Sequence, residues 1–329
     1  MHGALFATVS VPASSYIPSP EFLITPLLTV LFFVELLLVI AGLFLVLKKP
    51  RELGLRLLGL APARLTASPF RVSEIFLAGA FAFGGAIILQ VVFMSIGRRF
   101  WPPSVDGSMG IFHVLVAAGF QLGLIAGLAH AWFWHLRPSL RFPAPPAAAT
   151  APEMENGNAF RQVLRDGTCA FIVALPLVWV TSFIWQNLLN LFGIKAPPQD
   201  IVLLFARSNG WLSLGAMVTF AVIVAPVAEE LLFRVGLFRW LRGRVNRSLA
   251  LLMPAIAFSM LHASIAVLGP LIVLSVVFSL AYERSGRAGV PILAHALFNL
   301  NTIALVLAGF PTGEEELRSA LHQIVSLLN

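Results

Sequence analysis

The side chains best able to do chemistry lie in three short motifs of the C-terminal half of the sequence. They are Glu229, Glu230 and Arg234 in the first motif, Phe258 and His262 in the second, and His295 and Asn299 in the third. Each motif interrupts an apolar stretch, where ionisable groups are costly and by default mark a functional site. This set of groups is typical of acid–base chemistry. The alternative is a buried ion pair with two hydrogen-bonded histidines that serve only to hold helices together.

The spacing within the first motif assigns different roles to its two carboxylates. Glu230 and Arg234 stand at i and i+4, so on a helix they share one face in the favourable order. Arg234 can therefore neutralise and orient Glu230, which would otherwise be a very costly buried anion. Glu229 points about 100° away from Glu230 on the same helix. We therefore predict that Glu229 is the general base.

The second and third motifs supply groups that can position water and stabilise developing charge. His262 is predicted to face Glu229 and to share a water molecule with it. His295 and Asn299 are again i and i+4, so both can donate hydrogen bonds towards one point. Two such donors suit the oxyanion that forms when water attacks a carbonyl group.

The N-terminal half carries four further polar residues within apolar stretches, namely Glu35, His113, Gln121 and His130. Their spacing forms no recognisable cluster, so none of them is assigned to the site. Glu35 stands alone within an apolar helix, and we expect it either to be protonated or to face another helix.

The composition explains why so few residues carry these signals. Hydrophobic residues make up 58% of the 329 residues and charged residues only 11%, with a mean hydropathy of +0.89. Soluble proteins carry about 25% charged residues. A water-soluble domain is therefore excluded, and the single cysteine, Cys169, excludes an internal disulfide. The sequence predicts an all-α polytopic membrane protein.

Seven long apolar tracts, only the first of which contains a charged residue (Glu35), are the candidate helices on which the motifs lie. They are residues 22–47, 75–97, 107–136, 167–194, 208–228, 248–282 and 288–313. A bilayer crossing needs about 20 apolar residues, so 248–282 is too long for one. Gly269-Pro270 is a turn signal near its middle. We therefore predict two crossings there, the second of them short, and about eight transmembrane helices in all.

The distribution of charge predicts the orientation and organisation of the chain. With both termini outside, most of the 22 basic residues fall on the inner face, as the positive-inside rule requires. This accounts for the net charge of +7 without nucleic acid as a partner. We predict a three-helix portion (1–136), a flexible cytoplasmic Pro/Ala-rich linker (137–166), a five-helix core (167–313) and an acidic C-terminal segment (314–329).

The motifs EExxxR, FxxxH and HxxxN, in this order on successive apolar segments, resemble the CPBP family. That family groups the type II CAAX prenyl endopeptidases with bacteriocin-processing and immunity proteins. The resemblance covers roughly residues 211–310. It implies eight membrane helices that enclose a cavity open to the cytoplasm. It also implies roles for the motif residues: Glu229 and His262 activate water, Glu230 and Arg234 support the site, and His295 and Asn299 stabilise the oxyanion.

The leading hypothesis is therefore an intramembrane endopeptidase that cuts near the cytoplasmic face of a bacterial or archaeal cytoplasmic membrane. Its substrate is expected to be a prenylated CAAX-type tail, or a peptide or membrane-protein precursor. One alternative is a transporter or channel that uses the Glu/Arg/His cluster as a relay. The other is a non-enzymatic immunity or scaffold protein that retains the cluster as structure.

The need for a metal is left open by the sequence. Glu229, His262 and His295 could offer a His2Glu zinc site with one open position. The sequence has no HExxH motif, and the predicted pairing of Glu230 with Arg234 suits anchoring better than ligation. We therefore favour water attack without a cofactor, with zinc as the alternative.

Overall fold

The computed structural model describes residues 26–48, 65, 68–103, 111–137, 156–194 and 211–308. Within these ranges the regular elements are helices, numbered here in chain order. They are α1 (Pro26–Lys48), α2 (Val72–Phe100), α3 (Ile111–Leu136), α4 (Asn156–Leu191), α5 (Trp211–Arg242), α6 (Arg247–Met260), α7 (Leu268–Ser285) and α8 (Gly289–Leu307). All but α6 belong to segments long and apolar enough to cross a membrane. The chain is an all-α polytopic membrane protein, as predicted.

The division of tract 248–282 into two helices is confirmed, but the predicted position of the break is wrong. Helix α6 ends at Met260, and a 3-10 turn over Ile265–Val267 leads into α7. Gly269 and Pro270 lie in the first turn of α7, where proline is tolerated because its missing N–H would have no helical partner. The shorter helix of the two is therefore α6, and the prediction that the second crossing is short is also wrong.

The linker predicted over residues 137–166 is too long at its C-terminal end. Helix α4 begins at Asn156, so the residues from there to Asp166 are helical. The charged residues that precede the apolar tract do not mark the start of the helix, because Val163 still packs on the core formed with α7 and α8. Residues 138–155 of the linker and the segment 314–329 lie outside the described part of the chain. The division into domains stays a prediction.

The interior of the C-terminal half lies between α4, α7 and α8. Its buried side chains include Phe171 and Leu175 of α4, Leu274 and Phe278 of α7, and Ala294 of α8. Burial of such side chains stabilises a packed helix bundle through close dispersion contacts. Two of these helices, α7 and α8, also contact α5.

The turn between α5 and α6 is fastened to the end of α7 by ion pairs. Glu283 is almost fully buried and accepts hydrogen bonds from Arg242 and from Arg247, whose Nη2 lies 2.7 Å from Oε2. Both arginines therefore have a structural partner in α7. The prediction that both termini lie outside remains a prediction.

The hairpin of α2 and α3 brings two backbones unusually close together. A Cβ atom on Gly123 would lie 2.3 Å from the carbonyl oxygen of Gly85, and one on Gly85 would lie 2.6 Å from that of Gly123. Only glycine fits at such a contact, a device common between membrane helices. The hairpin packs in turn on α5, where Leu124 and Ala228 belong to one buried cluster.

Candidate active site

The carboxylates of the first motif lie in a short α-helical stretch of α5, Ala225–Glu230, between two π-helical segments. These segments are Phe220–Val224 and Leu231–Phe238. Single π-helical turns inside α-helices are rare and frequently accompany functional sites. The buried Ala228 anchors this stretch to the α2–α3 hairpin, and so fixes where the next two side chains project.

Glu230 and Arg234 form the ion pair that their spacing predicted. Arg234 Nη1 lies 2.8 Å from Glu230 Oε1, and neither side chain has any exposed surface. Arg234 Nη2 also donates to Ser275 of α7, 3.0 Å from its hydroxyl oxygen. The guanidinium group lies 4.8 Å above the ring centre of Phe258 and 5.5 Å above that of Phe278, in the arrangement of a cation–π contact. The buried charge is thus compensated on several sides.

His295 of α8 lies between the two glutamates. Its Nδ1 atom is 2.9 Å from Glu230 Oε1, and its Nε2 atom is 3.9 Å from Glu229 Oε2. Because Glu230 is paired with Arg234, its carboxylate accepts a hydrogen bond from Nδ1–H. The ring packs on Phe278 and Phe258, at 5.4 and 5.9 Å between ring centres. The nitrogen left to face Glu229 is therefore Nε2.

Glu229 differs from its neighbour in both exposure and partners. Its side chain is 17% exposed, whereas that of Glu230 is fully buried. Its Oε1 atom accepts a hydrogen bond from Gln121 Nε2 of α3, at 3.2 Å. Its Oε2 atom is the one that faces His295. Glu230 Oε2 also has no hydrogen-bond partner among the described residues, but it is buried. Glu229 is therefore the carboxylate of the pair that a water molecule or a substrate can reach.

Gln121 was missed as a site residue by the sequence analysis, which treated it as an isolated polar group. A signal for its direction was present in the spacing of Gly119, Gly123 and Gly127. These glycines mark the side of α3 that meets α2, and a residue two positions after the first of them projects away from α2. The sequence could not show that α5 lies on that side.

His262 lies just beyond the end of α6. Its Nδ1 atom lies 2.9 Å from the carbonyl oxygen of Phe258, and its ring is 4.9 Å from the ring of that residue. Since Phe258 also contacts His295, one aromatic ring joins the second motif to the third. Among the described residues His262 has no direct hydrogen bond to Glu229, so the predicted sharing of a water molecule stays a prediction.

Asn299 is bound to the backbone of α5. Its Nδ2 atom donates to the carbonyl oxygen of Ala221, at 2.8 Å. The N–H of Ala225 donates to Phe220, and Pro226 has no N–H. The carbonyl of Ala221 thus lacks both of its usual helical donors, and Asn299 supplies one instead. The second hydrogen of the amide remains for the oxyanion role that the sequence predicted.

The predicted site residues therefore fall into one connected group and two attached residues. Glu229, Glu230, Arg234 and His295 form a continuous set of polar contacts. His262 joins this set through Phe258, and Asn299 joins it through the backbone of α5. The cavity open to the cytoplasm that the resemblance implies stays a prediction.

The donor geometry does not match the zinc alternative. The described residues include no group of three His, Cys, Asp or Glu side chains placed to hold a metal ion. Of the suggested set, His262 and His295 each hold Nδ1 to a protein oxygen, so each has only Nε2 left for a metal ion, and these atoms are not grouped with Glu229 around one point. We therefore derive no step through a metal ion.

Glu35, outside this site, faces two other helices, which is one of the two expectations from the sequence. It is almost fully buried, and its two oxygens accept from Trp179 Nε1 of α4 at 2.9 Å and from Asn301 Nδ2 of α8 at 3.0 Å. It therefore fastens α1 to the C-terminal core.

The segment that carries the three motifs is similar to known proteins. Residues 211–301 match the family model described as type II CAAX prenyl endopeptidase Rce1-like. A curated Bacillus subtilis (strain 168) protein named "Putative membrane peptidase YdiL" is 31% identical over 91 residues, which make up 28% of this chain and 37% of that relative. The match thus spans little more than a third of the relative's length. No solved structure gives a significant match. The resemblance to the CPBP family that the three motifs predicted is confirmed for residues 211–301, the segment that matches the Rce1-like family model.

Proposed function

We propose that the chain is an intramembrane endopeptidase in which Glu229 activates a water molecule for attack on a peptide carbonyl. The observation that carries this proposal is the 3.9 Å separation of Glu229 Oε2 and His295 Nε2. A polar gap of this size suits a water molecule that hydrogen-bonds to both atoms from the side. The similarity of residues 211–301 to a peptidase family supports the same assignment.

The roles of the two glutamates follow from their different surroundings. Glu230 is fully buried and binds Arg234 and His295 through Oε1. It therefore supports the site without reaching a substrate. Glu229 retains Oε2, which takes a proton from the water as its oxygen attacks the carbonyl carbon. The same proton then passes to the nitrogen of the departing peptide segment, so that the carboxylate is regenerated and two termini are formed.

The charge that develops on the carbonyl oxygen needs donors in the same region. Asn299 keeps one amide hydrogen beyond its bond to Ala221. His295 holds Nδ1 to Glu230 and turns Nε2 towards the same region, 3.9 Å from Glu229 Oε2. Removal of one preorganised donor of this kind commonly lowers kcat by about 100- to 1,000-fold.

The substrate class that we propose is a peptide segment presented at the cytoplasmic side of the membrane. It is either a prenylated CAAX-type tail or the precursor of a peptide or membrane protein. The apolar surroundings of the site and the similarity to type II CAAX prenyl endopeptidases support a lipid-associated substrate.

The test is a cleavage assay with the full chain purified in detergent. Quenched fluorogenic peptides, one a farnesylated CAAX peptide and the others membrane-protein segments, are incubated with the wild type and with Glu229→Gln. We expect Glu229→Gln to lower kcat by about 100-fold or more, in the range of lost general-base catalysis. The matched control is Glu35→Gln, which removes the charge of another membrane-embedded glutamate and should leave cleavage close to wild type.

Two results would reject the proposal. One is a folded wild type that cleaves none of the peptides. The other is a folded Glu229→Gln variant that cleaves as fast as the wild type.

A further inference from the structure

Gln121 makes a contact with the site from a part of the chain that the family match does not cover. It lies on α3, whereas the matched segment begins at residue 211. Its Nε2 atom donates to Glu229 Oε1 at 3.2 Å. The mechanism proposed above uses the other oxygen, Oε2, and assigns no task to Gln121.

A donor on one oxygen of a carboxylate determines what the other oxygen can do. The terminal torsion of a glutamate side chain is soft, so an unheld carboxylate samples a broad range of orientations. With Oε1 held by Gln121, Oε2 is directed towards His295, whose Nε2 atom is 3.9 Å away. The hydrogen bond thus fixes the orientation in which the carboxylate meets the proposed water molecule.

The backbone of α3 is held firmly enough for Gln121 to serve as such a support. Gly119 and Gly123 flank it in sequence, and a Cβ on either residue would approach backbone atoms of α2 to within 2.7 and 2.3 Å. Leu124, one turn along, packs in the same buried cluster as Ala228, the residue before Glu229. The hairpin therefore fixes both partners of the hydrogen bond.

The amide of Gln121 is poorly explained as a contact that only joins helices. Its Oε1 atom is buried and has no hydrogen-bond partner among the described residues. An apolar side chain of the same length would avoid this unsatisfied acceptor, since burial of an unpaired polar group is unfavourable. The donor on Glu229 is the feature that an apolar residue could not replace.

We propose that Gln121 is a positioning residue for Glu229, and that the α2–α3 hairpin thereby forms part of the active centre. This inference rests on the proposed function. It predicts that loss of the amide lowers turnover while substrate binding is retained, because Gln121 touches the base and not the substrate.

The experiment compares Gln121→Met with Asn301→Leu in the farnesylated CAAX peptide assay and in thermal unfolding. Each variant removes an amide that donates to a glutamate of another helix. Gln121 donates to Glu229 at 3.2 Å, and Asn301 donates to Glu35 at 3.0 Å. Only Gln121 donates to the proposed base. We expect Gln121→Met to lower kcat about tenfold with KM unchanged, since a hydrogen bond to a charged group is worth about that factor. Asn301→Leu should change kcat less than twofold.

Gln121→Glu is the second variant, because it keeps the size of the side chain. An ionised carboxylate has no hydrogen to donate and brings like charge to Glu229, so kcat should fall further than in Gln121→Met.

A wild-type kcat in both Gln121 variants, alongside an inactive Glu229→Gln variant, overturns the positioning role and leaves the proposed function standing. An equal loss of kcat in Gln121→Met and Asn301→Leu also overturns it, since helix packing would then explain both. A wild type without activity removes the proposed function and this inference together.

Discussion

The Nδ1 atom of His295 lies 2.9 Å from Oε1 of Glu230, and this contact gives two glutamates that are adjacent in sequence different surroundings. Glu230 accepts from the imidazole and from Arg234, so it fixes the tautomer of the ring. The opposite nitrogen, Nε2, then faces Glu229. A histidine oriented by one carboxylate to act beside another group follows the general logic of catalytic histidines, in which a hydrogen bond to one nitrogen sets the chemistry of the other.

Replacement of His295 by two different amides tests this division of the ring. In His295→Asn the amide nitrogen falls near the position of Nδ1, so the bond to Glu230 is kept and the group facing Glu229 is lost. In His295→Gln the longer side chain places an amide near the position of Nε2. We expect His295→Asn to be folded and at least about 100-fold slower, because its Nε2 equivalent is missing. His295→Gln should retain more activity than His295→Asn.

The measurements for this pair are kcat in the peptide assay and the thermal unfolding midpoint. Greater activity in the asparagine variant than in the glutamine variant would contradict the assignment of Nε2 to the reacting side.

The substitution Glu230→Gln should act on stability much more than Glu229→Gln does. Glu230 and Arg234 are both fully buried, and removal of one partner from a buried pair leaves an uncompensated charge at a cost of about 3–5 kcal/mol. Glu229 is partly exposed and has no arginine partner among its described contacts. We expect the unfolding midpoint of Glu230→Gln to fall by several degrees, whereas that of Glu229→Gln stays near wild type. Equal midpoints for the two variants would show that Arg234 does not depend on Glu230.

The pairing of Glu230 with Arg234 could be predicted from the sequence because it lies within one helix. An i, i+4 relationship needs only the helical repeat. The direction of His295 could not be predicted in the same way, since it depends on how α8 packs on α5. That packing is set by distant residues such as Phe278, whose ring contacts His295, and a single sequence does not state which helices meet.

The break between α6 and α7 shows a different limit of the sequence. Gly269-Pro270 indicates that a helix is interrupted nearby, but proline is also common in the first turn of a helix. The helix end at Met260 carries no such sign, because Ala263 adopts the left-handed conformation (φ 49°) that glycine usually provides. The sequence therefore indicates that the tract is broken and misplaces the break by several residues.

The role of Asn299 could be anticipated only in part. Its spacing from His295 predicted that the two side chains share one face of α8, and in the structure both contact α5, through Glu230 and Ala221 respectively. Its bond to Ala221 depends on the π-helical turn before Pro226, and hydrophobic periodicity does not reveal a single π turn. A backbone carbonyl left without a donor is a feature of the fold, so it had to be seen in three dimensions.

Exhaustive chelation of the purified protein should leave peptide cleavage unchanged. In the described residues no three candidate ligands are grouped around one point. The assay is run before and after dialysis against a strong chelator, with metal content measured on the same samples. A loss of activity that returns on addition of zinc would contradict the metal-independent mechanism.

The two adjacent glycines of α2 allow a test of the close approach between α2 and α3. A Cβ on Gly85 would lie 2.6 Å from the carbonyl oxygen of Gly123, whereas a Cβ on Gly84 would meet no atom within 4 Å. Gly85→Ala must therefore push the helices apart, and overpacking of this kind costs about 1–3 kcal/mol. Gly84→Ala should be neutral or slightly stabilising, since alanine favours the helix. If the hairpin also supports Glu229 through Gln121, Gly85→Ala should lower kcat as well as the unfolding midpoint, and Gly84→Ala should lower neither. Indistinguishable midpoints for the two variants would show that the backbones can separate without cost.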